Sequence, residues 1–88
     1  PSQVRLGSPA PHPADGPTTL RYEIPRASDV RVSVFNLLGQ RVRTLVDEHV
    51  APGRWTTTVD ASELASGTYI VRLQAGSTVR TQRMTVVR

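Results

Sequence analysis

The sequence has no cysteine and no lysine, and only one methionine, one tryptophan and one phenylalanine among its 88 residues. Without cysteine there can be no disulfide, no thiolate metal site and no cysteine nucleophile. No apolar run approaches the roughly 18 residues that a membrane-spanning helix needs, so no membrane span is expected. The start, Pro1-Ser-Gln-Val, has neither an initiator methionine nor a basic-then-apolar leader. The chain is therefore expected to be cut from a longer protein. Its length suits one domain near the lower limit of independent folding.

What the sequence does have is arginine. All 11 basic residues are arginines, set against seven acidic ones, for a net charge of +4. They run from Arg5 through Arg31, Arg43 and Arg72 to Arg88 without clustering. Most occupy the polar positions of alternating segments, which predicts a solvated outer face. A nucleic-acid platform would interleave aromatics for base stacking, and none are interleaved here, so no nucleic-acid partner is expected.

Alternation with period two dominates the pattern and predicts strands. Leu20, Tyr22 and Ile24 share one face, Val30, Val32 and Val34 another, and Tyr69, Val71 and Leu73 a third. Trp55, Thr57 and Val59 also share parity, so Trp55 is expected to face the core. Met84 and Val86 are expected to point inward from the last strand. A slip in parity between Val79 and Met84 suggests a bulge there. Val42 and Val46 lie opposite Leu45 in parity, which leaves Arg41 to Glu48 less clear. Valine and threonine are abundant throughout, and β-branched side chains favour pleated strands.

Turn residues separate these segments. Asn36-Leu-Leu-Gly39 fits a type I turn closed by a left-handed glycine. Pro52-Gly53 and Ala75-Gly-Ser77 mark further reversals. Asp60-Ala-Ser-Glu63 reads as a small capping box, with Asp60 accepting from the first amides, Glu63 reaching back and Leu64 entering the core. Six strands and an edge strand near Gln3 to Leu6 predict an all-β fold, an immunoglobulin-like antiparallel β-sandwich of about seven strands. Residues 1–17 are a proline-rich opener with that possible edge strand, part of the same domain. Residues 18–88 form the sandwich. The opener suits either an edge cover or a tether.

A search for chemistry finds little. His12 lies among prolines and His49 in a charged turn, far apart in sequence, so no metal is expected. Asp47 and Glu48 are neighbours on a strand and point to opposite sides. Asp60 and Glu63 are better explained by the cap. No nucleophile elbow, P-loop or calcium loop occurs. The expectation is a protein that is not an enzyme and needs no cofactor. Outward parity also falls on Phe35 and Ile70, with Leu37 and Leu38 at the turn, and together they would make a contact patch.

The order of these landmarks resembles a known family. Ser8-Pro-Ala-Pro11 followed by Thr18-Thr-Leu-Arg-Tyr22 is similar to an opener Y-P-N-P and a strand T-T-I-R-Y, with serine and alanine at the departing positions. Asn36-Leu-Leu-Gly-Gln-Arg-Val42, Ala51-Pro-Gly-Arg-Trp55 through Asp60, Leu64 through Leu73, and Met84-Thr-Val-Val-Arg88 follow in the family's order. Over about Leu6 to Arg88 the chain resembles the C-terminal sorting domain of the type IX (Por) secretion system. The resemblance implies a non-catalytic signal that directs an N-terminal passenger domain of the same chain across the outer membrane. It implies the type IX outer-membrane export machinery and a sortase-like peptidase as partners. It also implies passage through the periplasm and a secreted or cell-surface destination.

On this reading the recognition candidates are Pro9, Pro11, Thr18 and Thr19 in the opener region, Leu37, Leu38 and Gly39 at the turn, and Met84, Thr85, Val86, Val87 and Arg88 at the terminus. For the glycines and core residues a purely structural role competes with recognition. The alternative function is an accessory β-sandwich module, carbohydrate-binding or spacer, attached to a secreted glycoside hydrolase. That alternative would rest on Trp55.

Overall fold

Seven strands build two antiparallel sheets in the computed structural model, which describes residues 1–88. They are β1 (Arg5–Leu6), β2 (Pro17–Ile24), β3 (Ser28–Asn36), β4 (Arg41–Val50), β5 (Gly53–Asp60), β6 (Gly67–Ala75) and β7 (Thr78–Val86). One sheet has the order β1-β2-β5 and the other β4-β3-β6-β7. This is an immunoglobulin-like antiparallel β-sandwich of three strands packed on four. A single 3-10 turn, Ala61–Glu63, carries the chain from β5 towards β6.

The core forms where the alternating residues of both sheets meet. Leu20 and Ile24 of β2, Val30, Val32 and Val34 of β3, Val71 and Leu73 of β6, and Met84 of β7 are all essentially inaccessible to solvent. Tyr69 is also buried, and its hydroxyl donates to the carbonyl oxygen of Ala65 four residues upstream. That is the tyrosine corner of immunoglobulin-like sandwiches, which fixes the crossing from β5 to β6. Leu64-Ala-Ser-Gly-Thr-Tyr69 is thus a structural motif as well as a sequence one.

The turns follow their chemistry. Asn36 Oδ1 accepts from the amides of Leu38 and Gln40, each at 3.0 Å. The Gly39 amide closes the turn on the Asn36 carbonyl oxygen at 3.0 Å, and Gly39 takes a φ of 80°. A type I turn followed by a left-handed residue is a standard three-residue hairpin loop. Gly76, at φ 58°, opens the two-residue loop between β6 and β7.

Four sequence expectations need correction. The bulge expected between Val79 and Met84 is absent, because β7 pairs with β6 in unbroken register from Thr78 to Val86. Val79 faces outward, and the inward positions before Met84 hold Arg80 and Gln82; Gln82 donates to the Leu6 carbonyl oxygen at 2.9 Å. The irregularities lie instead in the β3–β4 pairing, between Val32 and Ser33 and between Val34 and Phe35. These shifts allow Val42, Leu45 and Val46 all to pack on the core despite their conflicting parity.

Trp55 is the second correction. It shares a sheet face with Val59, as parity requires, but it lies on the free-edge strand β5 and remains 40% exposed. Its indole N–H donates to the Ala51 carbonyl oxygen at 3.0 Å, which satisfies the polar end outside the core. The third concerns the cap. Asp60 Oδ1 accepts from the Ser62 amide at 3.0 Å, as expected of the cap, but its second partner is the Ser62 hydroxyl at 2.6 Å, and the Glu63 side chain makes no reach-back hydrogen bond. His49, finally, lies within β4 and not in a turn; its Nδ1 is 2.8 Å from Asp29 Oδ1.

Candidate recognition site

The proline-rich opener is the element that joins the two sheets. After β1 it continues along the edge of β2, where Ala10 and Thr19 exchange two backbone hydrogen bonds at 3.0 and 2.7 Å. It then crosses to the other sheet. There the Ala14 amide donates to the Thr85 carbonyl oxygen at 2.8 Å, and the Val87 amide donates to the Ala14 carbonyl oxygen at 2.9 Å. His12 Nε2 accepts from the Thr85 amide at 3.2 Å. Prolines suit this path because they present no amide that would be left unpaired. The opener therefore covers part of the exposed edge of β7.

One end of the sandwich collects the sequence candidates. The β3–β4 turn, the start of β6 and the end of β7 are neighbours there, since Asn36 pairs with Tyr69 and Gly67 with Val86. The Ala61 amide of the 3-10 turn donates to the Gly16 carbonyl oxygen at 2.9 Å, which ties that turn to the end of the opener just before β2. Arg88 donates to the carbonyl oxygens of Ser62 and Leu64. Arg43 donates to the Glu63 carbonyl oxygen at 3.4 Å. The basic side chains thus satisfy carbonyls at the end of the short helical turn.

Burial sorts the candidates by what they can offer. Pro9, Thr18, Met84 and Val86 are buried, and the Thr18 hydroxyl closes on the Gly16 carbonyl oxygen at 3.0 Å. Thr19 and Thr85 are half-buried and use their backbones to hold the opener. Pro11, Leu37, Leu38, Gly39, Val87 and Arg88 are exposed. Leu38 is 84% exposed, the most exposed of the large apolar side chains. Phe35 and Ile70 are opposite each other on the outer face of the four-stranded sheet, close to this turn.

Ala14 was not legible as a site residue, yet it is completely buried and carries the bridge to Val86. Its only signal in the sequence is that it is a small residue between Pro13 and Asp15-Gly16. The histidines serve separate local contacts, and no three His, Asp or Glu side chains gather as a metal site would require. Burial, and then the carboxylate of Glu48, raises the pKa of Tyr22 above the ordinary phenol range. Hydrogen bonds from the Ser62 side chain and backbone lower that of Asp60.

Residues 10–87 match the family described as the secretion system C-terminal sorting domain. The chain belongs to this family. No curated protein matches it. The match covers every strand from β2 to β7 together with the opener from Ala10. Both partners of the opener–terminus bridge, Ala14 and Val86, therefore lie inside the sorting domain. Membership makes the chain a type IX secretion signal and connects it with export to the cell surface or the medium.

Proposed function

We propose that this sorting domain acts without catalysis as the C-terminal signal of a larger passenger, which it directs across the outer membrane through the type IX apparatus. The passenger enters the periplasm by its own leader. A sortase-like peptidase then separates it from the domain, leaving the passenger released or attached to the surface. The observation that carries this reading is the family match over residues 10–87. The fold supports it physically, since a folded tag with its opener and terminus joined can present one end to a receptor.

The exposed residues Pro11, Leu37, Leu38, Gly39, Val87 and Arg88 are the proposed contact surface at that end. Thr19 and Thr85 shape it through the backbone. Pro9, Thr18, Met84 and Val86 support it from within. Residues 1–17 belong to the same folding unit as 18–88 on this account, because the opener is hydrogen-bonded to β2, β7 and the 3-10 turn.

The test is a fusion of these residues behind a leader peptide and a folded reporter, expressed in a host with the type IX apparatus. Reporter recovered outside the cell supports the reading. Reporter retained in the periplasm, while an established sorting domain exports it, contradicts it.

The exposure of Trp55 favours one second reading, an accessory carbohydrate-binding module. Retention of the chain on insoluble polysaccharide, lost on Trp55→Ala with the fold intact, would support that reading.

A further inference from the structure

The outer face of the four-stranded sheet carries a row that the sorting reading does not use. Register places Arg41 of β4 opposite Phe35 of β3, Phe35 opposite Ile70 of β6, and Ile70 opposite Arg83 of β7. The row is therefore cation, apolar, apolar, cation across the whole sheet. Phe35 and Ile70 are half-buried and the two arginines are exposed. Beside it, Ser33 is buried at the floor of a small notch lined by Arg31, Phe35, Arg41, Arg72 and Gln74. Of the arginines on this face only Arg31 is ion-paired, to Asp47 at 3.7 Å. Arg41, Arg72 and Arg83 have no carboxylate partner.

We infer that this face docks an acidic segment of a protein partner, one that carries an apolar side chain between two carboxylates. Charge complementarity argues for the acid, because guanidinium forks match carboxylates in paired hydrogen bonds. Spacing argues for an extended polypeptide. Arg41 and Arg83 are three strand separations apart, or ~14 Å at ~4.8 Å per strand. Same-side residues of an extended chain recur every ~6.7 Å. A Glu-x-Leu-x-Glu segment therefore sets its carboxylates ~13 Å apart with the leucine midway, over Phe35 and Ile70. A layer of lipid headgroups imposes no such alternation. The inference rests on the sorting reading for its setting, and it names the chemistry of one contact that the export apparatus would make.

The test uses the 88-residue chain and a fluorescein-labelled peptide containing two Glu-Ser-Leu-Ser-Glu repeats, followed by anisotropy at low and high salt. Saturable binding at low salt is expected, weakened at least tenfold by Arg41→Gln with Arg83→Gln. Phe35→Thr should weaken it at least fivefold, with Ile70→Thr read instead if that variant fails to fold. Arg54→Gln on the other sheet should change it less than twofold. Four results would overturn the inference. They are no binding at low salt, equal binding of a peptide with serine for leucine, binding of phosphatidylglycerol vesicles in place of the peptide, and self-association of the chain through this face. A reporter fusion carrying Arg41→Gln and Arg83→Gln separates the two ideas. Normal export by that variant removes the face from sorting but leaves the sorting function standing, whereas failed export by the unaltered fusion removes the sorting function but leaves the peptide result.

Discussion

Ala14 and Val86 form a parallel bridge that joins the start of the domain to its last strand. Ala14 has no accessible surface, and its amide and carbonyl are both engaged, with Thr85 and Val87. The bridge makes the opener and terminus one structural unit although they are remote in sequence. Ala14→Leu would force extra methylenes into a filled space, at a cost of about 1–3 kcal/mol. Urea denaturation should show a lower midpoint with an unchanged slope.

The terminal segment divides into support and surface. Met84→Ala should destabilise the domain by about 2–5 kcal/mol, because it leaves a cavity between the sheets. Removing Val87 and Arg88 should be milder, about 1–3 kcal/mol, through loss of hydrogen bonds to Ala14, Ser62 and Leu64. The truncated chain should retain its circular dichroism spectrum. Export by this truncation therefore reads recognition, whereas deletion from Met84 onward mixes recognition with unfolding.

At the tyrosine corner, Tyr69→Phe keeps the ring in place and removes only the hydroxyl. The Ala65 carbonyl oxygen then loses its partner, at a cost of about 1–2 kcal/mol. Thermal unfolding should report a lower Tm without loss of cooperativity.

Stability should fall in alkali because of Tyr22. Its folded-state pKa is raised, first by burial and then by Glu48. The folded chain therefore holds this proton more tightly than the unfolded chain, whose phenol titrates near 10. The Tyr22 contribution is complete below about pH 10 and is lost as pH rises through the higher folded value. Urea midpoints measured from pH 8 to 11.5 should decline at the top of that range. Tyr22→Phe should flatten the part of the decline that belongs to this group.

Much of this fold was legible because its inward residues alternate cleanly. Val30, Val32 and Val34 face the core as period two requires, and Asn36 and Gly39 form the turn their chemistry favours. Parity failed where it could not register depth within the sandwich. Trp55 has the inward phase, but β5 is a free edge and nothing covers the indole fully. In β7 the inward phase falls on Arg80 and Gln82, so the apparent slip is a polar end of an unbroken strand. In β4 the conflict between Val42 and Leu45 was real, and paired register shifts resolve it.

The recognition end was legible only as separate pieces. Proline and glycine marked the opener and the turn, but no local pattern says that Ala14 reaches Val86 or that Arg88 reaches Ser62. Those are long-range contacts, fixed by how the sheets pack. The row from Arg41 to Arg83 depends likewise on cross-strand register, which the two shifts beside Val32 and Val34 alter.

The measurement closest to the central claim is the extracellular fraction of a reporter fused ahead of these residues. It should be compared between a strain with the type IX apparatus and a sibling strain without it. Reporter is expected outside the cell in the first strain and in the periplasm in the second. Equal retention in both strains, with the fusion intact and folded, would contradict that claim.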